Sequence, residues 1–377
     1  MSVKSNYFKM DKDEFNQYLD KLKNSTNNIF ILDNKFFYNQ DLDSTNSILK
    51  FNEKFYKFNS LINSFTSFSK NQIIQSFLLN EIESTNSIEN IYSTRHDIFS
   101  VISQASNSKD NKITSITNGY KYILSTNGNK VNSCKDLKEL YDKVIKESIS
   151  NNDLPDGKYF RKGNVYISNG LESIHTGLIG EDNINNAMDE FINIYNSNID
   201  IFTKLILSHF IFEYVHPFYD GNGRLGRFLF SNKLYLETNS AFSFSISYCF
   251  KQEKSKYYKA FKQASDKYEF GCLNSYVKTI ISILNNQIDL LINKLELILD
   301  KLKIYKSSLD LSKSEEKIYK LIYEASHLSN YGVSNQEIIN QTNVSKRTLM
   351  YSLKKFKDSY DIIDTKIGKF TYHKFNI

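Results

Sequence analysis

His216-Pro217-Phe218-Tyr219-Asp220-Gly221-Asn222-Gly223-Arg224-Leu225-Gly226-Arg227 is the stretch on which the reading of this 377-residue chain turns. Upstream, Asp200 to Phe212 is apolar nearly all round, and downstream Leu225, Phe228, Leu229 and Leu236 recur at helical spacing. The stretch is therefore a loop between two buried helices. Pro217 has no backbone donor and biases His216 away from helical dihedrals, so the first helix is expected to stop near Val215. Phe218, between polar neighbours, is expected to point into the core and pin the loop.

The chemistry of the loop follows from its residue types. Gly221 and Gly223 can take positive φ, so backbone N–H groups converge on one anion at the start of the second helix. Arg224 and Arg227 are three apart and share a face near the positive end of that helix, where guanidinium forks suit phosphate oxygens. Asp220 is placed to hold Mg²⁺ beside phosphates, and His216 can take a proton from an attacking hydroxyl. Together they read as a site for a nucleoside triphosphate.

These twelve residues resemble the signature of Fic-domain proteins, H-P-F-x-D/E-G-N-G-R-x-x-R, at every defined position. The resemblance implies that His216 deprotonates a target hydroxyl and that Asp220 holds Mg²⁺ against the α- and β-phosphates of ATP. It further implies an anion hole from Gly221 to Gly223 shaped by Asn222, with Arg224 on the phosphates and Arg227 on the γ-phosphate. The implied reaction is protein adenylylation, the transfer of AMP to Tyr, Thr or Ser of a protein, the chain itself included. Relatives that transfer other phosphate-containing groups leave the donor open.

Three other stretches extend the likeness. Thr85 to Asn90 resembles the family's inhibitory motif, S/T-x-x-x-E-G/N, on a helix expected at about 80–92 with Thr85 and Glu89 on one face. This implies that Glu89 pairs with Arg227, takes the place of a γ-phosphate and restrains the enzyme in cis. In some relatives this glutamate also supports AMP removal. Lys162 to His175 reads as two strands around Asn169-Gly170 and looks like the Fic flap, which aligns an extended target by strand addition. Thr176 to Gly180 departs from the family's proline-rich continuation there. Tyr257 and Tyr258 resemble the tyrosine pair beside the adenine pocket, although Ser265 stands where relatives often carry Asn.

Two prolines, no tryptophan and long segments of helical period favour a mainly α chain. The expected organisation is a helical N-terminal domain over 1–105, helices joined by Asn/Ser-rich turns, which carries the inhibitory helix. A helical Fic core with a small β-hairpin flap follows over 106–285, then a connecting helix over 286–308. In that helix Ile288, Leu291, Leu295, Ile298 and Leu302 form an apolar stripe, to be covered by its own core or by a second copy of the chain.

From 309 to 377 the pattern looks like a winged helix-turn-helix. Ser312-x-x-Glu315 and Ser334-x-x-Glu337 are capping boxes, Ser345 caps a helix over Lys346–Lys357, and a hairpin is expected around Ile367-Gly368. Residues 301–377 hold 14 Lys+Arg against 8 Asp+Glu, as large an excess as the whole chain's +6. Lys346, Arg347, Lys354 and Lys355 fit DNA phosphates, which gives an alternative function: a DNA-binding regulator whose Fic core senses nucleotide or modifies itself. The same pattern fits a solvated face or a module that grips a protein or a second copy.

No apolar run reaches the roughly 18 to 20 residues that span a bilayer, and no signal-type stretch follows Met1, so a cytoplasmic protein without membrane contact is expected. Cys134, Cys249 and Cys272 are too few and too scattered for a disulfide framework.

Overall fold

A computed structural model describes residues 2–102, 111–126, 128–168, 173–307, 310–329, 332–367 and 370–376. The fold is mainly α, as expected, with three small antiparallel sheets. In chain order the elements are α1 (Val3–Tyr7), α2 (Lys12–Lys23), β1 (Asn28–Ile31), β2 (Phe36–Asn39), α3 (Leu42–Asn63), α4 (Ser67–Ile88), α5 (Arg95–Ile102), α6 (Asn111–Thr126) and α7 (Cys134–Val144). Then come β3 (Tyr166–Ser168), β4 (Ser173–Thr176), α8 (Glu181–Tyr195), α9 (Ile201–Val215), α10 (Asn222–Thr238), α11 (Ile246–Gln252), α12 (Lys254–Ala264) and α13 (Asn274–Ser307). The last are α14 (Lys313–Leu328), β5 (Val333–Ser334), α15 (Asn335–Thr342), α16 (Lys346–Ser359), β6 (Ile362–Ile367) and β7 (Phe370–Phe375). Among the described residues no helix is long and apolar enough to cross a membrane.

The chain divides into two compact units, residues 1–53 with 77–286, and residues 54–76 with 287–377. The junctions expected at 105/106 and 308/309 fall outside the described residues. In the first unit α9 is the central rod. Asp200 caps it by accepting from the Phe202 and Thr203 amides at 3.0 and 2.9 Å. Phe202, Leu205, Ile206, Leu207, Phe210, Ile211, Phe212 and Val215 are all buried, so no face of α9 is left for water. It ends at Val215, as Pro217 requires, and α8 and α10 pack against it.

Two features of this unit differ from expectation. The N-terminal segment is not helical throughout: β1 and β2 form a hairpin whose Phe36 ring stands edge-on to Phe210 and Tyr214, at 5.0 and 4.8 Å. Four of its residues, Phe36 to Asn39, are buried, which a polar-flanked run of four did not announce. The helix with the inhibitory motif starts earlier and stops sooner than 80–92, running from Ser67 to Ile88. Asn90, at φ 57°, turns the chain away in the left-handed region, where Asn and Gly are favoured.

The end of α4 is held by Glu81. This carboxylate is fully buried and accepts from Tyr120 Oη (2.9 Å), Ser231 Oγ (3.2 Å), the Ser247 amide (2.7 Å) and Ser247 Oγ (2.7 Å). One side chain thus ties α4 to α6, α10 and α11. Burial pushes its pKa up, against the pull of these donors.

In the second unit both capping boxes are present, at Ser312/Glu315 and Ser334/Glu337, and Ser345 accepts from the Thr348 amide. The helix it opens runs two residues beyond Lys357. The strands β6 and β7 pair antiparallel, and β5 joins β7 to give the order β5-β7-β6. The turn expected at Gly368 lies outside the described residues. Ile318, Leu321, Ile322, Ile338, Leu349, Leu353, Phe356 and Phe375 form this unit's core. The expected connecting helix is the second half of α13, which begins at Asn274, and Ile288, Leu295, Ile298 and Leu302 of its stripe are buried.

Glu81→Ala leaves a buried hydroxyl and amide unpaired, so it should cost the first unit about 2–3 kcal/mol, roughly 5–10 °C in thermal melting. Ser231→Ala, which removes one of several donors, should cost less than about 1 kcal/mol. Equal losses in the two variants would mean that the carboxylate is not the anchor.

Candidate functional site

The loop after α9 has the shape its residues require. His216 is the C-terminal cap of α9 at φ 55°, a strained position for a non-glycine residue. Its Nδ1 faces the Glu213 carbonyl at 3.3 Å. A carbonyl only accepts, so Nδ1 carries the proton and Nε2 is the basic nitrogen.

Arg161 holds this bend from behind. It is fully buried and donates to the carbonyls of His216 (2.8 Å), Val215 (3.1 Å) and Gly163 (2.5 Å). Burial lowers its pKa, since no carboxylate accompanies it. A Cβ at Gly177 would stand 2.5 Å from this guanidinium, so the residue after β4 must be small. Phe218 is buried as expected and stacks on Tyr141 with centroids 3.9 Å apart.

The second helix opens at Gly221, at φ 85°, where a Cβ would also lie 2.3 Å from Ile145 Cγ2. Only glycine satisfies both constraints. Asn222 closes the loop on itself: its amide donates to the Phe218 carbonyl at 2.7 Å, and its Oδ1 accepts from the Phe218 amide at 2.9 Å. Gly223 lies under Glu89, where a Cβ would come within 2.2 Å of Oε1.

Both arginines are buried, at 2% and 1% exposure for Arg224 and Arg227, and a buried cation must be paired or hydrogen-bonded. Arg224 donates to Ser148 Oγ at 2.7 Å and lies 3.8 Å from Asp220 Oδ2, while its Nε has no partner. Burial lowers its pKa. Arg227 is fully engaged with the end of α4. It donates from Nε to Thr85 Oγ1 and from Nη2 to the Thr85 carbonyl, both at 3.1 Å, and from Nη2 to Glu89 Oε1 at 2.7 Å. The Thr85, Glu89 and Arg227 positions read from sequence therefore meet in one cluster.

Two glutamates beside this cluster shift in opposite directions. Burial acts to raise the Glu89 pKa, but the charge and hydrogen bond of Arg227, with Arg224 and His216 nearby, hold it below the usual carboxylate range. Glu213, one turn before His216, is pushed up to about 8 by burial, with the Arg227 charge acting against the shift and Glu89 adding to it. Its Oε1 is enclosed without a partner against Gly226. Sequence reading missed this group, although it is the one acidic residue of α9 and so visible as an anomaly in an apolar helix. Arg161 and Ser148 gave no such signal, because no spacing links them to the motif.

A cleft of about 260 Å³ connects these parts, with Glu89, His216, Asp220 to Gly223 and Arg227 in its lining and Tyr257, Tyr258, Phe261 and Ser265 among its other walls. Tyr257 is nearly buried, with its hydroxyl 2.8 Å from His209 Nε2 and its ring stacked on Phe250 at 4.4 Å. Tyr258 is half-buried. Asp220 extends outward, its side chain 57% exposed. Among the described residues no group of three or more His, Cys, Asp or Glu gathers around a metal position. A divalent ion here would need one carboxylate plus ligand oxygens, which is how Mg²⁺ accompanies phosphates.

The strands of the expected flap are present. β3 and β4 pair antiparallel with Tyr166 opposite Thr176, and Val165 and Tyr166 line the cleft. The Asn169-Gly170 turn lies outside the described residues.

Residues 132–234 match the model of the Fic/DOC family. The chain carries a Fic/DOC domain. A Fic family protein from Desulfovibrio desulfuricans G20 shares the fold at TM-score 0.55 and 14% identity, over 88% of this chain and 96% of that one. A Fic domain containing signaling protein from Bacteroides thetaiotaomicron (TM-score 0.48, 15% identity) covers 65% of this chain and 96% of its own. Fic-1 from C. elegans, residues 134–508 (TM-score 0.45, 14% identity), covers 68% and 73%. The matched span of the Fic domain contains α9, the loop and most of α10, whereas Glu89 comes from outside it.

The two glutamates make the pH response of the Fic domain two-sided. A depressed carboxyl, as in Glu89, gives stability that is present above its unfolded value and lost as pH falls through the folded value. A raised one, as in Glu213, takes stability away from the ordinary carboxylate range up to about pH 8. Thermal melting across pH should therefore show an acid-side loss that is smaller in Glu89→Gln and a decline toward pH 8 that is smaller in Glu213→Gln than in the wild type. The same profile in all three proteins would contradict both assignments.

Proposed function

We propose that this chain is a protein adenylyltransferase that moves AMP from Mg-ATP to a Tyr, Thr or Ser hydroxyl of a protein, with Glu89 restraining it in cis. The observation that carries this reading is the Glu89–Arg227 pair at 2.7 Å, lying over Gly223 at the N-terminal end of α10. A guanidinium buried beside a helix N-terminus is made for a phosphate, and a carboxylate is the side chain that imitates one.

In this reading the triphosphate lies along the loop, its oxygens accepting from the amides of Gly221 to Gly223 and from Arg224, whose Nε has no protein partner. Asp220, exposed beside them, is the carboxylate that would hold Mg²⁺, and the ion would supply positive charge for the departing pyrophosphate. The target oxygen bonds to the α-phosphorus as the bond to the β-phosphate bridge breaks. His216 takes the hydroxyl proton on Nε2, oriented by the Glu213 carbonyl. Pyrophosphate leaves.

With Glu89 on Arg227 the γ-phosphate has no counter-charge, so ATP enters without aligning its α-phosphorus. Tyr257 and Tyr258 are among the walls of the same cleft and offer ring surface to the base. The outer edges of β3 and β4 suit an extended target segment.

The test is intact-protein mass spectrometry after incubation with Mg-ATP and candidate targets. Glu89→Gly should gain AMP roughly 10- to 100-fold faster than wild type, the value of one charge-assisted hydrogen bond. His216→Ala in that background should lose at least ~100-fold. A Glu89→Gly protein that adds no mass of AMP to itself or to any target in a lysate would overturn the proposal.

A further inference from the structure

The basic residues of α16 separate into two sets. Lys355 is paired with Glu315 at 3.1 Å and donates to the Asp310 carbonyl, and Lys357 is paired with Asp364 at 2.6 Å. Lys346, Arg347 and Lys354 are exposed and have no acidic partner among the described residues. These three lie with Met350 (53% exposed) and Tyr351 (69% exposed) at positions i, i+1, i+4, i+5 and i+8, which is one continuous stripe. The opposite face, Leu349, Ser352, Leu353 and Phe356, is buried in the unit's core.

The setting of this stripe is equally specific. α15 and α16 are joined by three residues, with Asn343 at φ 55° making the turn, and the β6–β7 hairpin follows. A short left-handed turn between two helices, the second one basic and outward-facing, is the geometry that lays a helix into the major groove of duplex DNA. The cations flank an aromatic and a thioether side chain, so charge for phosphates surrounds groups able to touch base edges. A solvated lysine face needs no such central apolar pair. A protein partner would need an apolar core patch larger than two side chains.

We propose that α16 binds duplex DNA, with Lys346, Arg347 and Lys354 on phosphates and Met350 and Tyr351 against the groove. α16 belongs to the second unit and the cleft to the first, and the proposal does not depend on the adenylyl-transfer reading. Lys355, grouped with the other basic residues on sequence grounds, is not part of it, because Glu315 already holds it.

Fluorescence anisotropy of the full chain with a labelled mixed-sequence duplex tests this. Binding should appear at low salt and weaken with a log–log slope near about −3, as three phosphate contacts require. The double variant Lys346→Glu/Arg347→Glu should bind at least ~10-fold more weakly at low salt, whereas Lys357→Ala should bind as wild type does. AMP transfer by Glu89→Gly should not change when the two charge reversals are added. No duplex binding at low salt, or binding that the double variant retains, would overturn the proposal. So would a change in oligomeric state, rather than in DNA affinity, on reversing the two charges, since that would make the stripe a contact between copies.

Discussion

Arg227 is 1% exposed and, unlike the equally buried Arg161, meets its charge with an anion, so that the Glu89–Arg227 pair is the contact around which the first unit is organised. Its position on α10, one turn after Gly223, is set by the packing of α10 on α9. Its partners come from the end of α4, far away in sequence, through Thr85 and Glu89. The pairing has an unfavourable side: a carboxylate just past the C-terminal end of a helix faces the negative end of that helix's dipole. Glu89 overcomes this because Arg227 is close, while Lys254 donates to the Ile88 carbonyl at 2.9 Å and takes up one of the exposed ends. The contact is thus favourable in its charge and unfavourable in its helix position.

The loop depends on a different kind of constraint. Its backbone is bent at His216 and at Gly221, and neither bend is held by the loop's own side chains alone. Arg161 gathers three carbonyls at the first bend, and Ile145 fills the space that only glycine leaves at the second. Asn222 spans the interval by pairing with both backbone groups of Phe218. His216 is therefore oriented by groups outside the loop, and the strain at its backbone is borne by a buried cation bonded to carbonyls.

The sequence carried the site better than its surroundings, for physical reasons. His216 to Arg227 is legible because its chemistry is local: proline, glycines and arginines act within twelve residues. Thr85 and Glu89 were legible through their spacing, yet the helix end at Ile88 was not, since Asn90 has to be seen at positive φ before it reads as a terminator. The β1–β2 hairpin was missed because its run is four residues long and its burial is supplied by Phe210 and Tyr214, which nothing in the run encodes. Arg161 was missed for the same reason. Tyr257 was legible as a wall of the cleft, but its engagement with His209 and Phe250 depends on how α12 packs on α9.

Three glutamates within the first unit show how one side-chain type acquires three behaviours. Glu81 has hydroxyl and amide donors but no cation, and it acts as a fixed anchor for α4. Glu89 has a cation and keeps a third of its side chain exposed, and it lines the cleft. Glu213 has neither a donor at Oε1 nor its own cation, and burial drives it toward the neutral form at physiological pH. The neutral state has a consequence for the cleft. Were Glu213 ionised, the cleft would hold a second carboxylate beside Glu89, and the Arg227 charge would be divided between two anions. Burial and the unpartnered Oε1 favour the neutral form of Glu213, which leaves Arg227 to balance Glu89 alone.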